Sequence, residues 1–171
     1  GRRRHAQNGE APQPNPSNRD VLRHADESVK YDREQVLELV SCNWRELQWA
    51  PDCWKGDLEI VFAAVAQDVR ALRWVAEALL NDHETIHRIV CENWKALQYV
   101  PEQWKCDRRI VMAAVVQEAR ALRWAGDAFG NDTEVGVQVV AANWKALEWA
   151  SDTWKGNAAV VLAAVHKNGS A

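Results

Sequence analysis

The sequence predicts an all-α fold, an α-solenoid of 25-residue helix-turn-helix repeats, with five whole units and a half unit at each end. Three observations carry this expectation. Residue types recur every 25 positions in several columns held in one register. Each unit opens on a residue suited to start a helix. A column of large apolar side chains runs the length of the array, and a fixed period of this size marks stacked units.

Counting from Asp32 as position 0, the same position returns at Asp57, Asp82, Asp107, Asp132 and Asn157. Position 8 is Val40, Val65, Val90, Val115, Val140 and Val165, and position 15 is Leu47, Leu72, Leu97, Leu122 and Leu147. Position 17 holds Trp49, Trp74, Tyr99, Trp124 and Trp149, and position 22 holds Trp54, Leu79, Trp104, Phe129 and Trp154. Position 4 is aliphatic except at Gly136, a break that nothing else in the sequence explains. Alternate units differ. Those starting at 32, 82 and 132 carry Asn43-Trp44, Asn93-Trp94 and Asn143-Trp144, whereas those starting at 57 and 107 carry Ala71-Leu72-Arg73-Trp74 and Ala121-Leu122-Arg123-Trp124.

Within a unit the elements follow in order. The opening Asp accepts from the free N–H groups of a first helical turn, and Glu34, Glu59, Glu84 and Glu134 place an acid in that turn, where the helix dipole favours it. Apolar positions 4, 5 and 8 share one helical face, so a first helix is expected over positions 1 to 11. A shorter second helix is expected over positions 13 to 19, with Leu and the aromatic inward, ending at Pro51 and Pro101 in two units. A loop carrying the large residue at position 22 leads to the next cap. One such unit cannot bury its apolar face alone, whereas stacked neighbours can. The ten Trp residues are therefore expected mainly as packing wedges.

Val21-Leu22-Arg23-His24-Ala25 aligns with Ala121 to Ala125, so the stretch from 20 to 31 is the second half of a unit, and Asn157 to Gly169 is the first half of another. The repeat domain is placed at 20–171. Residues 1–19 form a separate basic, Pro-rich tail, with Arg2, Arg3 and Arg4 and with Pro12, Pro14 and Pro16, expected to be extended or disordered. Half units leave apolar stacking faces, which calls for further repeats or a partner to cover them. The sequence starts at Gly1, and its Arg-rich, acid-poor beginning is compatible with an organellar, plastid location after loss of a leader; the alternative is cytoplasmic. The longest apolar run, Ala158 to Val165, is too short to span a bilayer, so membrane contact is expected only through partners. The net charge of −3 is too weak to draw the whole chain to nucleic acid. Cys42, Cys53, Cys91 and Cys106 form no C-x-x-C pair and are expected as free, partly buried thiols in a reducing compartment.

The pattern D-x-E-x-V-hydrophobic-x-x-V followed by a polar pair and A-L-x-[WY]-A resembles the DUF4116 repeat. It is clearest in Asp107, Ile110, Val111, Ala114, Val115, Ala121, Leu122, Trp124 and Ala125, and it covers residues 20 to 169. The resemblance implies the repeat fold and no defined chemistry. The family's repeats have Asn-Gly where the first helix ends, with Gly in a left-handed cap. Only Asn168-Gly169 keeps that pair. Trp44, Trp94 and Trp144 replace the glycine, and Asn43, Asn93 and Asn143 are expected to take over its role.

Two constellations bear on function. His83-Glu84-Thr85-Ile86-His87 fits the H-E-x-x-H spacing of zinc hydrolases, with Cys91 one turn further on. The repeat accounts for it otherwise. Glu84 is the first-turn acid of other units, and His87 stands where sister units have Leu37, Phe62, Met112, Val137 and Leu162. No metal site, no cofactor and no catalytic residue is therefore assigned. The second is a basic ladder at position 13, Arg45, Arg70, Lys95, Arg120 and Lys145, which the period aligns along one edge. The expected function is a non-catalytic scaffold or accessory subunit, holding other protein subunits of a larger, possibly organellar and photosynthetic, complex through this edge and the arginine tail. The alternative is an RNA-binding helical repeat using the same ladder; a zinc-dependent hydrolase comes last.

Overall fold

The structure, a computed structural model, describes residues 20–127 and 129–169. Among these no strand occurs, and helices follow one another in a fixed order. Arg2, Arg3 and Arg4, with the rest of the tail, lie outside the described residues.

Every unit opens with a long α-helix: Arg33–Cys42, Leu58–Gln67, His83–Glu92, Arg108–Gln117, Thr133–Ala142 and Ala158–Gly169. The column-zero residue caps each one. Asp32 accepts from the backbone N–H groups of Glu34 and Gln35, Asp57 from Glu59 and Ile60, and Asn157 from Ala159 and Val160. These bonds satisfy donors that a helix start leaves free.

The second element is not the expected α-helix. It is a 3₁₀ helix beginning one residue earlier, over Trp44–Trp49, Val69–Trp74, Trp94–Gln98, Ala119–Trp124 and Trp144–Trp149. The cause lies at position 11. Asn43, Asn93 and Asn143 are not left-handed caps, because their φ values of −150°, −149° and −146° are extended. Each turns its side chain forward and accepts from the backbone N–H two residues on, at Arg45, Lys95 and Lys145. Asp68 does the same for Arg70, and Glu118 for Arg120. One side chain thus ends the long helix and starts the next element, leaving room for a short 3₁₀ segment only.

The expected loop is also helical. Position 22 sits in a single turn, Asp52–Lys55, Glu77–Leu80, Glu102–Lys105 or Asp152–Lys155, replaced by the 3₁₀ turn Phe129–Asn131 in one unit. The aliphatic residues at positions 4, 8 and 15 from Val36 to Leu147 pack in one continuous core along the array. Only Trp154 of the ten Trp residues is fully buried; the others are half-buried, each keeping a face or edge at the surface. The four cysteines are free, as expected, but exposed.

The alternation of units resolves at one backbone group. The carbonyl at position 23 ends a one-turn helix and has no partner within its own unit, so the following unit supplies the donor. Where position 19 keeps its N–H, the backbone does this: Ala76 N–H bonds the Lys55 carbonyl at 2.9 Å and Gly126 N–H the Lys105 carbonyl at 2.8 Å. Where position 19 is Pro51 or Pro101, no N–H exists. There the indole of Trp54 donates to the Lys30 carbonyl at 2.8 Å, and that of Trp104 to the Leu80 carbonyl at 2.7 Å. Pro at 19 and Trp at 22 are therefore one device, and the units lacking Pro carry Leu79 and Phe129, which have no donor to give.

The last whole unit breaks the rule and explains Gly136. Its position 19 is Ser151, whose hydroxyl donates to the Gly130 carbonyl at 2.7 Å. Trp154 is thereby displaced from that acceptor and turns into the space above Gly136, where an added Cβ would stand 2.8 Å from its Cε2. Its buried indole N–H finds no acceptor among the described residues.

Three predictions follow from this accounting. Trp104→Phe should destabilise the chain by about 1–3 kcal/mol in urea unfolding, the cost of leaving the Leu80 carbonyl without its donor. Adding Pro101→Ala, which restores a backbone N–H in a compatible geometry, should recover part of the loss. Gly136→Val, which would complete its column, should instead cost about 1–3 kcal/mol through overpacking. Combined with Ser151→Pro it should cost less than the sum, because Trp154 then regains the Gly130 carbonyl. Finally, the caps set an acid limit. Backbone and side-chain bonds from Gln35 hold Asp32 below the usual carboxylate range, Arg33 does so for Asp57, and Thr85 for Asp82. Carboxylates depressed in the folded state stabilise it above their unfolded pKa and lose that contribution as pH falls through the folded pKa. Stability should thus be level near neutrality and fall progressively below about pH 5, with a shallower fall in Asp57→Asn, measured by urea titration at each pH.

Candidate protein-docking edge

The five ladder cations Arg45, Arg70, Lys95, Arg120 and Lys145 all lie exposed, each as the second residue of a 3₁₀ helix. The capping bond at position 11 fixes the backbone N–H of each, so their side chains leave the array on the same edge. Each one lies against an indole at position 12. Arg45 and Arg70 flank the Trp44 ring at 4.7 and 5.2 Å from its centroid. Lys95 and Arg120 flank Trp94 at 5.9 and 5.7 Å, and Lys145 sits 5.9 Å from Trp144. Cations over an indole face are attracted by the ring quadrupole.

The indoles themselves are paired between units. Trp44 stacks on Trp74 with centroids 5.3 Å apart, and Trp94 on Trp124 at the same distance. The strip continues at both ends, where Arg23 lies 4.8 Å from Trp49 and Arg123 spans Trp124 and Trp149 at 5.8 and 5.9 Å. The edge is thus an alternation of stacked indoles and cations. Sequence reasoning found the cations and read the Trp residues mainly as packing, which the position-12 indoles are in part, being half-buried against the core; it did not find their pairing along the edge. The signal was available as the recurring separation of 30 residues between Trp44 and Trp74 and between Trp94 and Trp124.

Charge along the edge follows the same two-unit rhythm. In the units with an acidic position 11, the cation is paired: Arg70 Nε is 3.0 Å from both Asp68 carboxylate oxygens, and Arg120 Nε is 3.6 Å from Glu118. The Arg70 hydrogen bond holds the Asp68 carboxyl below its ordinary range, with a smaller contribution from Arg45 across the unit boundary. In the other units position 11 is Asn, so Arg45, Lys95 and Lys145 have no neutralising carboxylate there. Three cations with no ion pair among the described residues therefore recur every 50 residues, with ion-paired arginines between them.

The H-E-x-x-H string lies elsewhere, on the long helix His83–Glu92. His83 Nε2 is 3.3 Å from Asp107, the cap of the next helix, and its ring meets Trp104 edge-on at 5.4 Å. His87 is parallel to His83 at 6.3 Å, and its Nε2 is 3.7 Å from Cys91 Sγ. Among the described residues no group of three or more His, Cys, Asp or Glu side chains is arranged to hold a metal ion. His83 instead joins neighbouring units. No described helix is long and apolar enough to cross a membrane.

No curated protein and no solved structure matches the chain. The profile of a domain of unknown function, DUF4116, matches twice in tandem, at residues 32–80 and 82–130. Each match spans one Asn-Trp unit and the Ala-Leu-Arg-Trp unit after it, the pair that the position-23 carbonyl and the indole stacks define. On these two tandem matches, the chain belongs to the DUF4116 family of helical repeat proteins.

Proposed function

We propose that the chain is a non-catalytic scaffold, an accessory subunit that holds other proteins of a larger assembly along its indole–cation edge. The observation that carries this reading is the fixed placement of Arg45, Lys95 and Lys145 on indole faces, without the carboxylate that neutralises their neighbours. Held side chains lose less rotamer freedom on binding, and aromatic residues with arginine are the groups on which interfaces concentrate their energy. Evenly spaced single cations suit a protein segment carrying acidic side chains at intervals. The same geometry weakens the RNA alternative. The position-12 indoles at Trp44 and Trp94 are already stacked on a neighbour and flanked by cations, so they present no open face to a base, and two of the five cations are ion-paired.

Native purification of the chain at moderate salt, followed by mass spectrometry, tests the proposal. A stoichiometric protein partner is expected, and the triple variant Arg45→Ala/Lys95→Ala/Lys145→Ala should weaken its binding by about tenfold, as three modest ion pairs would. All three sites are exposed, so the variant should fold as the parent does. Recovery of the chain alone, or with nuclease-sensitive RNA, would overturn the reading.

A further inference from the structure

A second row of cations runs beside the position-13 ladder. Position 16 holds Arg73 and Arg123 in the Ala-Leu-Arg-Trp units, whereas the Asn-Trp units carry Gln48, Gln98 and Glu148 there, none of them a cation. Both arginines are exposed, and neither forms an ion pair among the described residues. Positions 13 and 16 lie on the same 3₁₀ segments, Trp44–Trp49, Val69–Trp74, Trp94–Gln98, Ala119–Trp124 and Trp144–Trp149. A 3₁₀ helix has about three residues per turn, so side chains three apart project from one face, about 6 Å apart along its axis. The Arg123 guanidinium follows that direction. It lies 5.8 Å from the Trp124 ring and 5.9 Å from Trp149 of the next unit, on the same strip of indoles that carries the ladder cations.

The two rows are out of phase. In the Ala-Leu-Arg-Trp units the position-13 cation is taken up by an ion pair, Arg70 with Asp68 and Arg120 with Glu118, and position 16 supplies the free one. In the Asn-Trp units position 13 supplies it. Each unit therefore presents one free cation, in the order Arg45, Arg73, Lys95, Arg123, Lys145, and the row changes at every step. Successive 3₁₀ segments pack against one another, and packed helices lie about 8–10 Å apart. The free charges thus form a zigzag that advances by about 8–10 Å per step and returns to the same row at every second step.

One polymer geometry matches that zigzag. An extended chain rises about 3.3 Å per residue and turns successive side chains to opposite sides. Residues three apart then stand about 10 Å apart on opposite sides, and residues six apart stand about 20 Å apart on the same side. An α-helix needs about seven residues to advance the same 10 Å. Seven residues are close to two whole turns, so its side chains would stay in one line and meet one row only. A nucleic-acid strand carries a phosphate at every nucleotide and has no alternation with which to select the second row. We propose that the docking edge takes an extended, acidic protein segment with Asp or Glu at every third residue. Its acids meet Arg45, Lys95 and Lys145 on one side and Arg73 and Arg123 on the other. The proposal rests on the docking reading given above and adds Arg73 and Arg123 to it as specificity-determining residues. Asp68 and Glu118 acquire a role as well: by neutralising Arg70 and Arg120 they keep the free charges in alternate rows.

Fluorescence anisotropy of the full chain with two labelled thirteen-residue peptides tests this, at about 0.05 M salt, where screening is weaker. Both peptides carry five Glu residues among Ser and Thr. In the first, Glu stands at every third position. In the second, the second and fourth Glu are each moved back by one position, which turns them to the same side as the other three. The parent chain should bind the first peptide about fivefold more tightly, the worth of two modest ion pairs. Arg73→Gln/Arg123→Gln installs the residue that Gln48 and Gln98 already place at position 16, so it should fold as the parent does, and helical circular dichroism checks this. That variant should bind both peptides alike, at the weaker affinity, because the first, third and fifth Glu face position 13 in each. Arg45→Ala/Lys95→Ala/Lys145→Ala should weaken both. If the parent binds both peptides equally and the triple variant weakens both, the zigzag is wrong while the docking edge stands. Discrimination that survives Arg73→Gln/Arg123→Gln, or a parent that binds neither peptide, would also overturn the proposal, and the docking reading is then judged by the partner recovered in native purification. Tighter binding of a thirteen-nucleotide oligouridylate than of the first peptide would overturn both.

Discussion

Each unit of this array ends in a carbonyl that it cannot satisfy, and the next unit must bring the donor. A buried backbone acceptor left alone costs as much as several apolar contacts supply, so the requirement constrains every boundary. Two solutions alternate. A backbone N–H at position 19 reaches Lys55 and Lys105, while an indole at position 22 reaches Lys30 and Leu80 across a proline. The choice at one position dictates residues elsewhere. Proline removes the N–H and obliges Trp three residues later. Without proline, position 22 is free to become Leu79 or Phe129 and serve only as apolar filler.

The smaller side chains adjust to that choice. At one backbone-donor boundary Gly56 lies against Ala76, and at the other the roles reverse, with Gly126 accommodating Cys106, whose Sγ would lie 2.5 Å from an added Cβ. At the last boundary Ser151 introduces a third donor, and the consequence travels to Gly136 through the displaced indole of Trp154. The pair of units, not the single 25-residue unit, is therefore the piece that is chemically closed. That agrees with tandem family matches spanning two units each.

Much of this was legible in the sequence because it is local or periodic. The column-zero caps need only Asp or Asn before an amphipathic run, and the core columns need only the period. What escaped was decided by competition between partners. The second element is 3₁₀ because Asn43 and its equivalents spend their side chains on the backbone N–H two residues ahead, a preference for short polar side chains that periodicity does not register. The one-turn helix at position 22 is too short to leave an amphipathic signature. At the edge, Arg45 to Lys145 could be read from the column at position 13, yet their setting could not. Trp44 and Trp74 meet across a unit boundary, and each alone resembles a core residue. Gly136 is an isolated exception in its column because Ser151 takes the Gly130 carbonyl and the indole of Trp154 packs over Gly136 instead.

The division of labour between faces gives the architecture its functional logic. Aliphatic columns at positions 4, 8 and 15 bind unit to unit and tolerate only similar shapes, as close-packed interiors require. The edge at positions 11 to 13 bears little of that packing and can vary its charge without disturbing the stack. Here it varies in step with the core. Asn at position 11 accompanies Trp at position 12, and the acids Asp68 and Glu118 accompany the small buried residues Val69 and Ala119. The hydrogen-bond alternation inside the array is thereby translated into an alternation of free and neutralised cations outside it. A partner reading that edge would meet, at position 13, one cation with no ion pair among the described residues every 50 residues, at a spacing set by the stack and not by flexible side chains. An array that presents charge at fixed intervals is suited to holding several contacts of one extended partner at once, because each contact after the first benefits from the high effective concentration that the preceding one creates.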